Sequence, residues 1–321
     1  MSFSRTIAIG AGALLFATAC KHAQPADEHA AHMAAGEVAG QPQSEQQGDT
    51  RYPASAIHTN ARLAASPRHG EWVRVAWEPG SKDSIQAWMV YPTNSSAKAP
   101  VVVVVHEIFG LSNWVRSVAD QAAAEGFIAI APDLNSRVRG GPSMDSLTAD
   151  SANKLSRLVP IPERNKAITA VAKYAMSQPA AVAKYAVIGF CYGGTTVWGN
   201  AIDGGTNGYS GGVAFYGAFP YMNSGVPNAD SMKKINKPLM LLSGAKDNRI
   251  GATMPAIDSM MKALGKSYYG SNYPGAVHGF ARAQDDPKQQ RDEAEEKANL
   301  DAIHDAWPRT VAFLKTNLGV K

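Results

Sequence analysis

The sequence predicts a single α/β domain over residues 69–321, with a mainly parallel central sheet, an antiparallel N-terminal edge and helices on both faces. Three observations carry this. Val101 to Val105 is an unbroken β-branched run, the pattern of a strand covered on both faces. Further apolar runs recur along the chain with helical segments between them, which is the rhythm of a parallel sheet. Two earlier segments alternate polar and apolar residues, as half-buried antiparallel strands do.

Taken in order, the alternating pair is Trp72-Val73-Arg74-Val75-Ala76-Trp77 and Ile85-Gln86-Ala87-Trp88-Met89-Val90. After Val101 to Val105 comes a helix-like stretch from Asn113 to Glu125, then the buried strand Phe127 to Ala131. Strands follow at Tyr185 to Ile188, Gly212 to Tyr216, Pro238 to Leu242 and Tyr268 to Tyr273. Arg291 to Leu318 is helical in character but contains Trp307-Pro308, and proline within a helix predicts two segments or a bend there. No internal repeat is visible.

The N-terminus reads as a leader. Arg5 precedes the apolar stretch Ile7 to Phe16 and the small residues Ala17-Thr18-Ala19, so residues 1–19 form a signal peptide too short to span a bilayer. Ala17 and Ala19 suit ordinary signal peptidase. Cys20 directly after them resembles the acylated cysteine of a bacterial lipobox, and lipidation there is the favoured reading. Lys21 lacks the aspartate that retains such proteins in the inner membrane of enteric bacteria, so a periplasmic protein tethered to the outer membrane is expected. Residues 20–68 are rich in Ala, Gln, Glu, Pro, Gly and His with few bulky apolar side chains, and are read as a flexible tether.

Composition narrows the function. The net charge is +4, and removing the leader takes away Arg5 alone, leaving +3, too little and too dispersed for nucleic-acid binding. No zinc-finger or phosphate-loop spacing occurs, and His29 and His32, three residues apart in the tether, are read as solvated side chains rather than a metal site. No metal and no organic cofactor is expected. Cys20 and Cys191 are the only cysteines. Acylation of the first leaves the second without a partner for a disulfide in an oxidising compartment.

Cys191 lies in Gly189-Phe190-Cys191-Tyr192-Gly193-Gly194, directly after the apolar run Ala186-Val187-Ile188. A strand ending in Gly-x-nucleophile-x-Gly is a nucleophile elbow, the mark of the α/β-hydrolase fold, here with cysteine in place of serine. In that fold the acid and then the histidine follow on loops after later strands. Asp247 comes just past Leu239 to Leu242, and His278 just past Tyr268 to Tyr273. His106 also follows a core strand, but only His278 has the right chain order. Cys191 is thus expected as nucleophile, His278 as its base and Asp247 as the group that orients the base. A helix N-terminus and a neighbouring imidazole both favour the attacking thiolate. Two backbone N–H groups should receive the oxyanion: that of Tyr192 and that of Ile108, in the loop after Val101 to Val105.

The chain resembles the dienelactone hydrolases (carboxymethylenebutenolidases). The resemblance rests on Glu107-Ile108-Phe109-Gly110, Ala131-Pro132-Asp133-Leu134, the elbow, Phe215-Tyr216-Gly217, Gly244-Ala245-Lys246-Asp247 and His278-Gly279-Phe280-Ala281-Arg282. It implies that Glu107 takes part in activating the cysteine and that Arg137 and Arg282 bind a substrate carboxylate, for which a planar guanidinium is suited. Arg139 lies close enough to confuse the assignment of Arg137, and a surface ion pair is the plain alternative for each arginine. Well-known family members are cytoplasmic and have no leader.

The expected function is hydrolysis of carboxylic esters or lactones, some of them anionic, through an acyl-thioester, by a monomer bound to the membrane only through its lipid anchor. Two alternatives stay open: a non-catalytic envelope binding protein on the same fold, and thioesterase or peptidase activity on the same triad.

Overall fold

A computed structural model describes residues 44–93, 97–141, 148–289 and 292–320. The chain enters through a short helix, α1 (Thr59–Ala64), and then lays down the antiparallel pair β1 (Gly70–Ala76) and β2 (Ser84–Val90). β3 (Ala99–Val105), α2 (Asn113–Ala124) and β4 (Ile128–Pro132) follow. Next come α3 (Ser136–Arg139), α4 (Ala149–Arg157), α5 (Ile161–Met176), β5 (Ala181–Phe190), α6 (Tyr192–Ile202) and β6 (Tyr209–Phe215). A small ribbon, β7 (Met222–Asn223) with β8 (Val226–Pro227), leads to α7 (Ala229–Lys233) and β9 (Leu239–Gly244). The chain closes with α8 (Met254–Ala263), β10 (Tyr268–Tyr273), α9 (Phe280–Ala283) and α10 (Glu293–Leu318).

Eight strands form one sheet in the order β1-β2-β4-β3-β5-β6-β9-β10. β2 is antiparallel to both neighbours, and the pairs from β4 to β10 are all parallel. Every residue of β3 is buried, as its unbroken valines predict for a central parallel strand. β1 alternates exposed and buried residues because only one of its faces is covered. From β3 the chain passes to β4 on one side and then crosses to β5 on the other. The order reverses there, and the crevice beyond the C-terminal ends of β3 and β5 is where such sheets bind ligands.

Two expectations need correction. Residues 44–68, assigned to the tether, are packed on the domain. The Trp114 indole donates to the Ala54 carbonyl at 2.9 Å. Arg62, only 5% exposed, donates to the carbonyls of Gln47, Asp49 and Tyr52 and to the side chain of Gln121. A scarcity of bulky apolar residues was the wrong measure, because one buried guanidinium with its several donors gathers the backbone of this segment. The leader, Cys20, His29 and His32 lie outside the described residues.

The second correction concerns Pro308, around which α10 runs unbroken from Glu293 to Leu318. Proline in a helix costs about 3 kcal/mol. On either side of it Ala302, Ile303, Ala306, Trp307, Thr310, Leu314 and Leu318 are buried in one stripe, and burial of several such side chains at roughly 1.5–3 kcal/mol each outweighs that cost. Pro308 itself faces solvent.

Candidate active site

The turn from β5 into α6 puts Cys191 at φ 53° and ψ −110°, a region that side chains other than glycine rarely occupy. Backbone bonds on both sides hold it there: Cys191 N–H donates to the Phe215 carbonyl at 3.0 Å, and the Cys191 carbonyl accepts from Thr195 N–H at 3.0 Å. Gly193 is required by proximity. A Cβ on it would stand 2.3 Å from the Val105 carbonyl oxygen and 2.7 Å from that of His106. Its absence lets the first turn of α6 settle against the end of β3, which brings the elbow beside the loop carrying Glu107 and Ile108.

The loop after β9 and the loop after β10 are locked together in the same way. A Cβ on Gly244 would meet the Ala276 carbonyl oxygen at 2.4 Å, and the N–H of Lys246 donates to that carbonyl at 2.9 Å. Asp247 and His278 are thereby brought into contact, with Oδ2 2.5 Å from Nδ1. Oδ1 of Asp247 accepts from the backbone N–H groups of Arg249 and Ile250, each at 3.1 Å, so the carboxylate cannot swing away. Nδ1 being taken, Nε2 is the imidazole nitrogen left for Cys191, which interacts with the ring.

Burial alone would hold His278 below its ordinary pKa. The negative charge of Cys191 and the bond from Asp247 outweigh it and raise the value to about 10. For Asp247 burial pushes upward, but the hydrogen bond and charge of His278 prevail and the pKa is lowered. The imidazole is thus favoured in its protonated form by the neighbouring Asp247 and Cys191.

His106 has a different task. Leu134 N–H donates to its Nε2 at 3.0 Å, so the hydrogen sits on Nδ1 and is donated to the Glu107 carbonyl at 2.5 Å. Burial lowers its pKa, with Asp133 pulling the other way, and the ring is a neutral brace between the loops after β3 and β4. Its face lies parallel to Tyr192, with centroids 5.9 Å apart.

Glu107 is 2% exposed and faces Arg282, with Oε2 3.9 Å from Nε. The Arg282 guanidinium also lies 5.4 Å over the ring of Phe109 and donates to Gln289 at 3.2 Å. Tyr216 completes this cluster. Fully buried at φ 38°, it sets its ring edge-on to His278, and its hydroxyl interacts with both Glu107 and Cys191. Burial first, and then those two negative charges, hold the phenol well above its ordinary pKa and so protonated. The sequence contained Phe215-Tyr216-Gly217 at a strand end, but no pattern signals a strained tyrosine that bends back under the histidine.

Arg137 is elsewhere engaged. Its Nη2 is 2.5 Å from Asp83 Oδ2 and its Nη1 3.0 Å from Glu163 Oε2, and its guanidinium stacks 3.7 Å over Trp77. The structure groups it with those two carboxylates rather than with Glu107 and Arg282, which is the ion-pair alternative for this residue. Arg139 pairs with the buried Asp133 at 2.7 Å. Tyr192 opens α6 and Ile108 follows β3, both buried beside the elbow. Arg164, in the first turn of α5, stacks its guanidinium 3.7 Å over the Tyr192 ring. Among the described residues no group of three or more His, Cys, Asp or Glu could hold a metal ion.

Comparison with known proteins gives a consistent picture. The model of the dienelactone hydrolase family matches residues 85–318. A protein of Escherichia coli (strain K12) named "Putative carboxymethylenebutenolidase" is 29% identical over 249 residues, covering 76% of this chain and 86% of its own. A "Putative carboxymethylenebutenolidase" of Synechocystis is 27% identical, covering 75% and 95%. The crystal structure of a "Putative Dienelactone Hydrolase" from Klebsiella pneumoniae superposes with a TM-score of 0.61 at 25% identity, covering 77% of this chain and 98% of that one.

Proposed function

Because the chain belongs to the dienelactone hydrolase family, we propose that it hydrolyses carboxylic esters or lactones with Cys191 as nucleophile, His278 as general base and acid, and Asp247 as the orienting acid. The observation that carries this is the line Asp247–His278–Cys191, with Nδ1 of the imidazole fixed to the carboxylate and the other nitrogen left for sulfur.

The thiolate–imidazolium pair is the reactive form. Cys191 Sγ attacks the carbonyl carbon, and the oxyanion is received by the backbone N–H groups of Tyr192 and Ile108. Collapse breaks the bond to the alcohol oxygen, which takes the proton from His278 as it leaves; in a lactone it stays attached as the freed hydroxyl. The acyl group now rests on sulfur as a thioester. Water, losing a proton to His278, attacks that carbonyl, and the carboxylic acid departs as the thiolate is restored. Glu107, beside Tyr216 and Arg282, contributes to activating the thiol, and Arg282 is the arginine best placed to meet an anionic acyl group.

The test is turnover of neutral aryl esters and unsaturated lactones by the parent chain beside Cys191→Ala. The variant should lose activity by a factor of about 10³ or more, the scale for removing a nucleophile from a triad. Equal rates would dismiss the assignment. The leader and Cys20 support an exported, lipid-anchored protein facing the periplasm. Incorporation of labelled fatty acid that persists in Cys20→Ala would dismiss the anchor.

A further inference from the structure

Residues 44–64 lie ahead of the stretch the family model matches, yet they bond directly to Arg282 in α9 and to the residues just after that helix. The N–H of Ala56 donates to the Arg282 carbonyl at 3.0 Å. The side-chain amide of Gln284 donates to the Pro53 carbonyl at 3.0 Å. His58 Nε2 lies 3.1 Å from Asp285 Oδ2. Three consecutive contacts thus tie residues 53–58 to residues 282–285. Gln284 stands at φ 34°, a backbone state that its surroundings must enforce, and it is 6% exposed.

One side chain holds the segment in shape. Arg62 donates through Nε and Nη2 to the Gln47 carbonyl at 3.1 and 2.7 Å, and through Nη2 to that of Asp49 at 2.9 Å. Its Nη1 reaches the Tyr52 carbonyl and Gln121 Oε1, both at 2.9 Å. The last bond fastens α1 to α2, and the indole of Trp114, also on α2, holds Ala54. The segment is clamped between a core helix on one side and the arginine-bearing α9 on the other.

We propose that residues 44–64 form a positioning strap for Arg282, and that by fixing its backbone they set how well the enzyme distinguishes anionic from neutral esters. This rests on the hydrolase reading above. A long arginine side chain loses much rotamer freedom when it is fixed, so orienting it in advance beside Glu107 lowers what an incoming carboxylate must overcome. The strap acts through Arg282 and has no part in the triad, so its influence falls on recognition and not on the attack of sulfur.

The test uses the full chain with Arg62→Met, which keeps most of the side-chain volume and removes the donors. Two readouts are taken: limited proteolysis within residues 44–64, and kinetics on two aryl esters with one leaving group, the neutral acetate and the anionic hemisuccinate. Cleavage should become several-fold faster and KM for the hemisuccinate should rise about tenfold, the worth of one charge-assisted contact, with acetate kinetics unchanged. Faster cleavage with an unchanged ratio between the two esters overturns the proposal. So does unchanged cleavage, since Arg62 would then not be what holds the strap. If Arg62→Met does not fold, His58→Leu, which removes the strap's own contact with Asp285, takes its place: a tenfold rise in KM for the hemisuccinate alone supports the strap, and an unchanged ester ratio overturns it. The two readings fail separately: equal turnover by Cys191→Ala removes the hydrolase, whereas an unchanged ester ratio on a working parent removes only the strap.

Discussion

Tyr216 meets His278 edge-on, with ring centroids 5.0 Å apart, and reaches that position only by adopting φ 38° at the end of β6. Its N–H donates to the Leu242 carbonyl at 2.7 Å, so the strained turn is bonded to the next strand. A neutral phenol is thereby held within electrostatic reach of Glu107 and Cys191.

Tyr216→Phe should keep the fold, because the ring supplies the packing, and lose the hydroxyl that interacts with Glu107 and Cys191. Contacts of a polar group with a charged one are worth about 1.5–3 kcal/mol, so kcat/KM should fall by roughly 10- to 100-fold. Steady-state kinetics with an unchanged melting temperature would show it. Wild-type kinetics in the variant would mean that the hydroxyl is inert.

The raised pKa of His278 gives stability a defined pH dependence. Its folded value, about 10, lies above the unfolded value of about 6.5, so its contribution is complete below the latter and disappears as pH climbs through the former. Asp247, whose folded pKa is lowered, behaves oppositely and loses its contribution as the solution is acidified. Melting temperatures should therefore decline from near neutrality toward pH 10. In Cys191→Ala, where the charge that most raises His278 is gone, the decline should be shallower.

The two arginines should separate cleanly. Arg282→Gln should raise KM for a carboxylate-bearing ester by about tenfold while sparing a neutral one. Arg137→Gln should leave the preference between the two esters as it was, because its guanidinium already serves Asp83 and Glu163. A loss of anion preference in Arg137→Gln would return that residue to the substrate.

Gly193→Ala should be among the most damaging small changes in the chain. Its methyl group would sit 2.3 Å from the Val105 oxygen, a backbone atom that can yield only by parting α6 from β3. Overpacking of this kind costs about 1–3 kcal/mol or more. Activity should fall further than stability, since the same shift displaces the two N–H groups proposed for the oxyanion, those of Tyr192 and Ile108. Calorimetry and kinetics on one preparation would compare the two.

Pro308→Ala should stabilise the protein. The helix is already continuous there and the residue faces solvent, so the exchange supplies a missing hydrogen-bond donor without disturbing the buried stripe. A gain of up to about 3 kcal/mol is the ceiling, reduced by the unfolded-state freedom that proline restricts. A lower melting temperature would contradict this account of the helix.

What the sequence determined by itself is whatever follows from local pattern. Unbroken valines can only be covered on both faces, alternation can only be half-buried, and Gly-x-Cys-x-Gly after a strand leaves one geometry open to the backbone. The strands, the elbow and the order of Cys191, Asp247 and His278 were therefore readable before any coordinates. Tertiary structure decided everything that depends on which distant groups meet. It gave Arg137 to Asp83 and Glu163, bent Tyr216 beneath His278, carried α10 past Pro308 and folded residues 44–68 around Arg62. The reason is common to all four. A charge, a strained turn, a proline or a polar segment is unfavourable taken alone, and only partners far away in the chain determine whether that cost is offset.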